Sequence, residues 1–156
     1  AMILWRHSEP DAAAAYVAQD ARNETTLPDI EDGMWYTGAA NWAVANGMIT
    51  GFEHESGPNT FEPSTPVSFE QMATVISRMC ATDEEVGSVD VAILDSFRDP
   101  ATVSDWARQR MAWAVSKSLV GGYDEPDGRY LRAGEDVMRE RAAKLLMNAF
   151  ELSLLR

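Results

Sequence analysis

Two stretches of this chain carry one pattern of aromatic, small and glycine residues in one frame. Trp35 to Phe52 reads WYTGAANWAVANGMITGF, and Trp106 to Tyr123 reads WARQRMAWAVSKSLVGGY. Trp35 and Trp106 are 71 positions apart, as are Trp42 and Trp113, with Ala43-Val44 and Ala114-Val115 in step. Gly51 returns as Gly122 at the same interval. Chance does not put two tryptophan pairs in register in a chain that has five tryptophans. A repeat at this period constrains the fold before any other feature, because each unit must bury its apolar face against its neighbours.

Each unit reads as helix, loop, helix. Leu27-Pro28-Asp29 opens one unit and Phe97-Arg98-Asp99 the next. Trp35, Ala39, Trp42 and Ala43 recur at helical spacing and predict helix A over about 34–46, stopped at Gly47, which accepts a left-handed backbone. Gly51 to Pro66 is a turn-rich loop anchored by Phe61, and helix B follows at about 69–81. Ser68 with Gln71 three residues on forms a capping box, and Met72, Val75, Ile76 and Met79 make the apolar stripe. The second copy predicts helix A at about 105–117, with Ser118 in place of the glycine stop and hence a less tightly specified turn. Its loop runs from Tyr123 to Asp136 with Tyr130 in the role of Phe61. Helix B follows at about 137–152, burying Ala142, Leu145, Leu146, Ala149 and Phe150, with Leu154 and Leu155 trailing. No strand pair is expected, and Thr82 to Ser96 reads as an acidic linker of moderate order.

Residues 2–7, MILWRH, align with Val75 to Cys80 and Leu145 to Phe150, so they read as the end of a truncated first repeat. Pro10 suits the first turn of a helix expected over Asp11 to Arg22. The expected organisation is therefore 1–30 for that tail and a helical linker, 31–96 for a repeat with its acidic linker, and 97–156 for a final repeat. The Ala-Met opening is that expected of a piece cut from a longer chain.

Charge is unevenly spread over the 156 residues. The net value is −12, yet residues 1–96 hold 3 basic and 16 acidic groups while 97–156 hold 10 and 9. The acidic part repels phosphate backbones, which argues against nucleic acid; an anionic ligand has a place only in the last third. The Ala43 to Ile49 turn between helices does not make a DNA reader, since the second helix carries one basic residue, Arg78, and the connecting loop is too long. Cys80 is the single cysteine, so no internal disulfide forms, and its apolar helical position predicts burial. No apolar run approaches the roughly 20 residues that span a bilayer.

No nucleophile elbow, triad, phosphate loop or dinucleotide fingerprint is present, so no catalytic residue and no cofactor is expected. His7 and His54 have no second ligand at helical spacing, and Asp124 to Gly128 reads as a turn rather than a calcium loop, so no metal is expected.

The order and spacing of these motifs resemble the S-layer homology (SLH) family. The residues that carry the likeness in the first full copy are Pro28-Asp29, Trp35-Tyr36, Trp42-Ala43, Gly47-Met48-Ile49, Gly51-Phe52, Phe61-Glu62-Pro63 and Val67 to Gln71. In the second they are Phe97-Arg98-Asp99, Trp106-Ala107, Trp113-Ala114, Leu119 to Tyr123, Tyr130-Leu131 and Val137 to Arg141. The resemblance implies an all-α fold of tandem helix–loop–helix repeats in a pseudo-threefold bundle. It also implies a non-catalytic module that anchors proteins to the bacterial cell surface by binding an anionic secondary cell-wall polysaccharide, in an extracellular, cell-wall or S-layer location. The family's principal anion contact is an arginine at the start of helix B, which suits a carboxylate because its donors form a fixed fork.

The copies differ at that arginine. Ser68-Phe69-Glu70-Gln71 keeps the cap and lacks the arginine, whereas Met138-Arg139-Glu140-Arg141 keeps the arginine and lacks the cap, leaving Asp136 as the expected substitute. The glycan-binding candidates are Arg139, Trp35, Trp106, Gly122, Tyr123 and Arg141. Trp42 and Trp113 read as core, while Trp35 and Trp106, at helix starts, read either as structural rings or as partly exposed rings open to a ligand. Arg139 either meets an anion or pairs with Glu135 or Glu140. The alternative function is a degenerate module that serves protein–protein interaction or architecture without a glycan. Self-association through the face left by the missing repeat is a further expectation.

Overall fold

A computed structural model describes residues 1–152, and Leu154 and Leu155 lie outside the described residues. The chain divides into two compact units, Ala1–Thr65 and Pro66–Arg156. The repeat and the compact unit are therefore different divisions of the chain. The boundary falls inside the first full repeat, after its helix A and loop and before its helix B.

The first unit holds three helices: α1 at Met2–Ser8, α2 at Pro10–Ala14 and α3 at Thr37–Ala45. Leu4 and Trp5 are the buried residues of α1, which packs against α3. The expected helix from Asp11 to Arg22 is not formed; α2 stops at Ala14 and a short 3₁₀ turn covers Ala18–Asp20. The cause is tertiary. Tyr16 donates its hydroxyl to the Met34 carbonyl at 2.8 Å, accepts from the Gly38 amide at 3.0 Å, and meets Trp5 edge-on at 5.2 Å. An alanine-rich segment with a thin apolar face has only weak propensity to set against such anchoring.

Helix A begins later than expected in both copies because a turn precedes it. Thr37 is fully buried; its hydroxyl donates to the Glu31 carbonyl at 2.7 Å and accepts from the Met34 amide at 3.1 Å, holding 34–36 out of the helix. The α3 terminus is a Schellman turn: Gly47 N–H donates to Val44 and Met48 N–H to Ala43, both at 2.9 Å, with Gly47 at φ 67°.

The second unit holds α4 at Phe69–Cys80, α5 at Asp83–Gly87, α6 at Arg108–Ser116 and α7 at Arg139–Glu151. Its core joins Phe69, Ala73 and Ile76 of α4 to Met111, Ala112, Trp113 and Ala114 of α6 and to Leu145 and Ala149 of α7. Ser68 caps α4 as expected, with Ser68 N donating to Gln71 Oε1 at 2.9 Å and Gln71 N to Ser68 Oγ at 3.3 Å. Cys80 is half-buried, and burial pushes its thiol up to about 11.

Four expectations need correction here. The segment 82–96 is packed structure rather than a loose linker. It forms α5, with its own Thr82–Glu85 capping box, and a 3₁₀ turn at Val91–Ser96; Val86 and Leu94 are buried, and Gln109 of α6 donates to the Val86 and Val89 carbonyls. A strand pair does exist: β1 at Tyr123–Glu125 and β2 at Gly128–Tyr130 form an antiparallel hairpin around Pro126-Asp127. Phe150 is 44% exposed, since α7 buries only Leu145 and Ala149 fully. No side chain caps α7, so Asp136 does not replace the lost box; Asp136 instead bridges to Ser68 through the backbone.

Ser118 does not loosen the second helix-A turn. It adopts φ 58°, and the Ser118 and Leu119 amides donate to Val115 and Ala114 at 2.9 Å, repeating the Gly47 turn bond for bond.

Candidate functional site

The loop between helix A and helix B is held the same way in both copies. Asp29 accepts from the Phe61 and Glu62 amides, both at 2.7 Å, and Asp99 accepts from Leu131 at 2.7 Å and Arg132 at 2.8 Å. Glu62 and Arg132 both have positive φ, 55° and 52°. Phe61 therefore corresponds to Leu131, which is fully buried, and not to Tyr130. Tyr130 points its hydroxyl to Asp127 at 2.7 Å instead, and that bond raises the phenol above its ordinary range.

Gly122, expected among the ligand contacts, is required by the backbone. Its φ is 73°, and a Cβ there would stand 2.7 Å from the Tyr130 carbonyl and 2.6 Å from Phe97. Gly51 is confined in the same way by Thr60 and Leu27. Tyr123 follows on the hairpin and is partly exposed. Under it lie two guanidinium groups, Arg141 at 4.6 Å and Arg132 at 5.0 Å from the ring centroid. No spacing along the chain signals this stack, because its members come from the hairpin, the loop and α7.

Arg141 is spent inside the unit. Its guanidinium lies 3.3 Å from the Phe69 ring centroid and donates to the Leu131 and Arg132 carbonyls. Burial pulls its pKa below the ordinary arginine value. Arg132 pairs with Glu125 and, at 3.9 Å, with Glu135. Phe69, which occupies the motif-arginine position in the earlier copy, is 4% exposed beneath Arg141.

Arg139 differs from both. It opens α7 exposed to solvent, and among the described residues its guanidinium has no ion-pair or hydrogen-bond partner. Neither Glu135 nor Glu140 takes it; Glu135 lies toward Arg132. Trp106 and Trp35, 56% and 65% exposed, stand just before α6 and α3, each in its own unit. Trp35 meets Tyr36 edge-on at 5.7 Å. Trp42 and Trp113 are buried, as their core reading predicts.

An open cleft of about 620 Å³ lies beside Arg132, lined by Asp99, Thr102, Glu125, Tyr130, Gly134 and Glu135. Three carboxylates against one guanidinium make it a poor seat for an anion. Among the described residues no group of three or more histidine, cysteine, aspartate and glutamate side chains could hold a metal ion. No helix among them is long and apolar enough to cross a membrane.

No family model matches the chain, and no solved structure matches it. Two curated proteins do. Over 120 residues, 74% of the chain, it is 28% identical to amylopullulanase from Thermoanaerobacterium thermosulfurigenes and 28% identical to exoglucanase XynX from Acetivibrio thermocellus. The matched segment spans 6% of the length of the first and 10% of the second.

Proposed function

We propose that this chain is a non-catalytic SLH-type module that attaches a larger protein to the bacterial cell surface by binding an acidic cell-wall polysaccharide through its last repeat. The observation that carries this reading is Arg139. It stands at the motif position of helix B, exposed and without a partner among the described residues, while Arg132 and Arg141 near it in sequence are held by carboxylates and carbonyls. A free guanidinium fork is what a sugar-borne carboxylate or ketal acid requires. Exposed rings in the same unit, Trp106 and Tyr123, offer apolar faces for sugar rings.

The matches to the two long proteins support a module of this kind, since a segment of this size accounts for a small part of either. An extracellular, wall-associated location belongs to the same proposal. The test is co-sedimentation of the chain with purified bacterial cell walls, before and after their attached polysaccharide has been removed. Pelleting with intact walls and loss of pelleting with stripped walls is the expected result; no pelleting with intact walls rejects the reading.

A second reading is an architectural or protein-binding module without glycan. The filled space around Phe69, Arg141 and Tyr123 favours it, together with the carboxylates of the neighbouring cleft. Capture of a protein ligand, with no binding to either wall preparation, is its expected signature.

A further inference from the structure

Asn46-Gly47 closes the end of α3, and it is the only place in the sequence where asparagine precedes glycine. Asn23, Asn41, Asn59 and Asn148 are each followed by a residue with a side chain. The pairing carries chemistry of its own. A backbone amide nitrogen can attack the side-chain carbonyl of the residue before it, and glycine sets no Cβ in the way. Asp32-Gly33 and Asp127-Gly128 have the same reach, but an ionised carboxylate is a poor electrophile and has no ammonia to lose.

The folded turn holds Asn46 away from that reaction. Its backbone sits at φ −90° and ψ 11°. Closing a five-membered ring between the Gly47 nitrogen and Cγ of Asn46 needs a ψ of about −120°, outside the regions favoured by an L-residue. The Gly47 N–H donates to the Val44 carbonyl at 2.9 Å, and Asn46 Nδ2 donates to the Trp42 carbonyl at 2.9 Å. All three restraints belong to one Schellman turn and are released with it. Both residues are exposed, so water and hydroxide reach them once the turn opens.

We propose that Asn46 is a spontaneous deamidation site gated by the C-terminal turn of α3, inert while the turn is closed and converted when it opens. Hydroxide takes the Gly47 amide proton, and the nitrogen attacks Cγ of Asn46. The Cγ–Nδ2 bond breaks, ammonia leaves, and a succinimide ring remains. Water then opens the ring at either carbonyl, giving isoaspartate or aspartate.

Either product weakens the place where it forms. The donor to the Trp42 carbonyl is lost, and a carboxylate stands at the negative end of α3. Isoaspartate also lengthens the backbone by one carbon, so the Gly47 and Met48 amides no longer meet Val44 and Ala43 in register. The change is irreversible, so each opening that reacts leaves α3 easier to open again. The matching turn of α6 has Lys117-Ser118 and no amide to lose. Chemical ageing by this route therefore falls on the first unit, while Arg139 lies in the other.

The test keeps the 156-residue chain in mildly alkaline buffer, with and without denaturing guanidinium chloride. Residue 46 is followed by peptide mass spectrometry with chromatographic separation of isoaspartate. Conversion is expected to be at least tenfold slower without denaturant, and in denaturant to reach Asn46 before any other asparagine. Ala45→Gly loosens the exposed last turn of α3 and leaves Asn46-Gly47 intact, so it is expected to speed conversion of the folded chain roughly fivefold. Amide exchange over 37–49 is expected to quicken in the aged parent and not in aged Asn46→Gln, with exchange over 108–116 unchanged in both. Equal rates with and without denaturant, or no acceleration by Ala45→Gly, overturn the gating. Earlier conversion of another asparagine in denaturant overturns the site, and unchanged exchange over 37–49 after conversion overturns the consequence.

Discussion

The carboxylate of Asp99 holds the backbone of Arg132 in a left-handed conformation, accepting its amide at 2.8 Å while the neighbouring oxygen takes Leu131 at 2.7 Å. Asp29 does the same for Glu62 and Phe61 in the earlier copy. The aspartate that opens each repeat is thus a clasp on a loop about 32 residues away. Hydrogen bonds to a charged acceptor contribute roughly 1.5–3 kcal/mol each, less for partly solvated groups. Asp99→Ala is expected to lower unfolding stability by about 2–4 kcal/mol in urea titrations, since two amides lose their acceptor. A variant within about 0.5 kcal/mol of the parent contradicts the clasp.

The same clasp predicts a pH dependence at Asp29. Burial pushes its carboxyl up, but the amides of Phe61 and Glu62, with its own amide and His54, outweigh that and bring it below the usual aspartate value. A folded pKa below the unfolded one contributes stability that is whole above the unfolded value, near 3.9, and is lost as pH falls through the folded value. Asp29→Asn is therefore expected to cost most at pH 5–7, with the gap to the parent closing below about pH 4. Urea midpoints that stay equally separated from pH 7 to pH 2.5 contradict it.

The helix-A stops provide a matched pair of substitutions. Gly47 and Ser118 share one turn and one sign of φ, and a Cβ at Gly47 meets no atom within 4 Å. The conformation alone is then at issue. Ser118→Gly is expected to stabilise and Gly47→Ala to destabilise, each by about 1 kcal/mol, with the urea m-value unchanged. Effects of the opposite sign contradict the assigned turns.

Met138 occupies the position at which Ser68 caps α4, and its side chain is 63% exposed. Met138→Ser is expected to raise stability by roughly 1 kcal/mol, measured as a shift of the thermal midpoint. No shift means that the new hydroxyl does not reach the third amide of α7.

What the sequence made legible followed from side-chain periodicity and residue type. Trp42 and Trp113 marked the buried helix face and Ser68 with Gln71 marked a helix start, whereas Gly122, read as a ligand contact, is a position its backbone closes to a Cβ. What stayed hidden depends on tertiary partners. The strands at 123–125 and 128–130 are three residues long, too short for alternation to show, although Pro126-Asp127-Gly128 marked their turn. Tyr16 broke an alanine-rich helix by reaching α3, and Leu94 turned an acidic stretch into packed structure by entering the core. At the candidate site, Arg139 and Arg141 looked alike as cations on one helix; only the Phe69 and Tyr123 rings and the loop carbonyls tell them apart.

Arg139 is the residue on which polysaccharide binding rests, and its position suits a direct measurement. It is exposed at the first position of α7, so replacing it leaves the core intact. The measurement is quantitative co-sedimentation of parent, Arg139→Ala and Arg139→Lys with purified walls that retain their polysaccharide. Loss of one charge-assisted, forked contact predicts roughly tenfold or greater weakening for alanine, with partial retention for lysine. Equal pelleting of all three proteins contradicts the account.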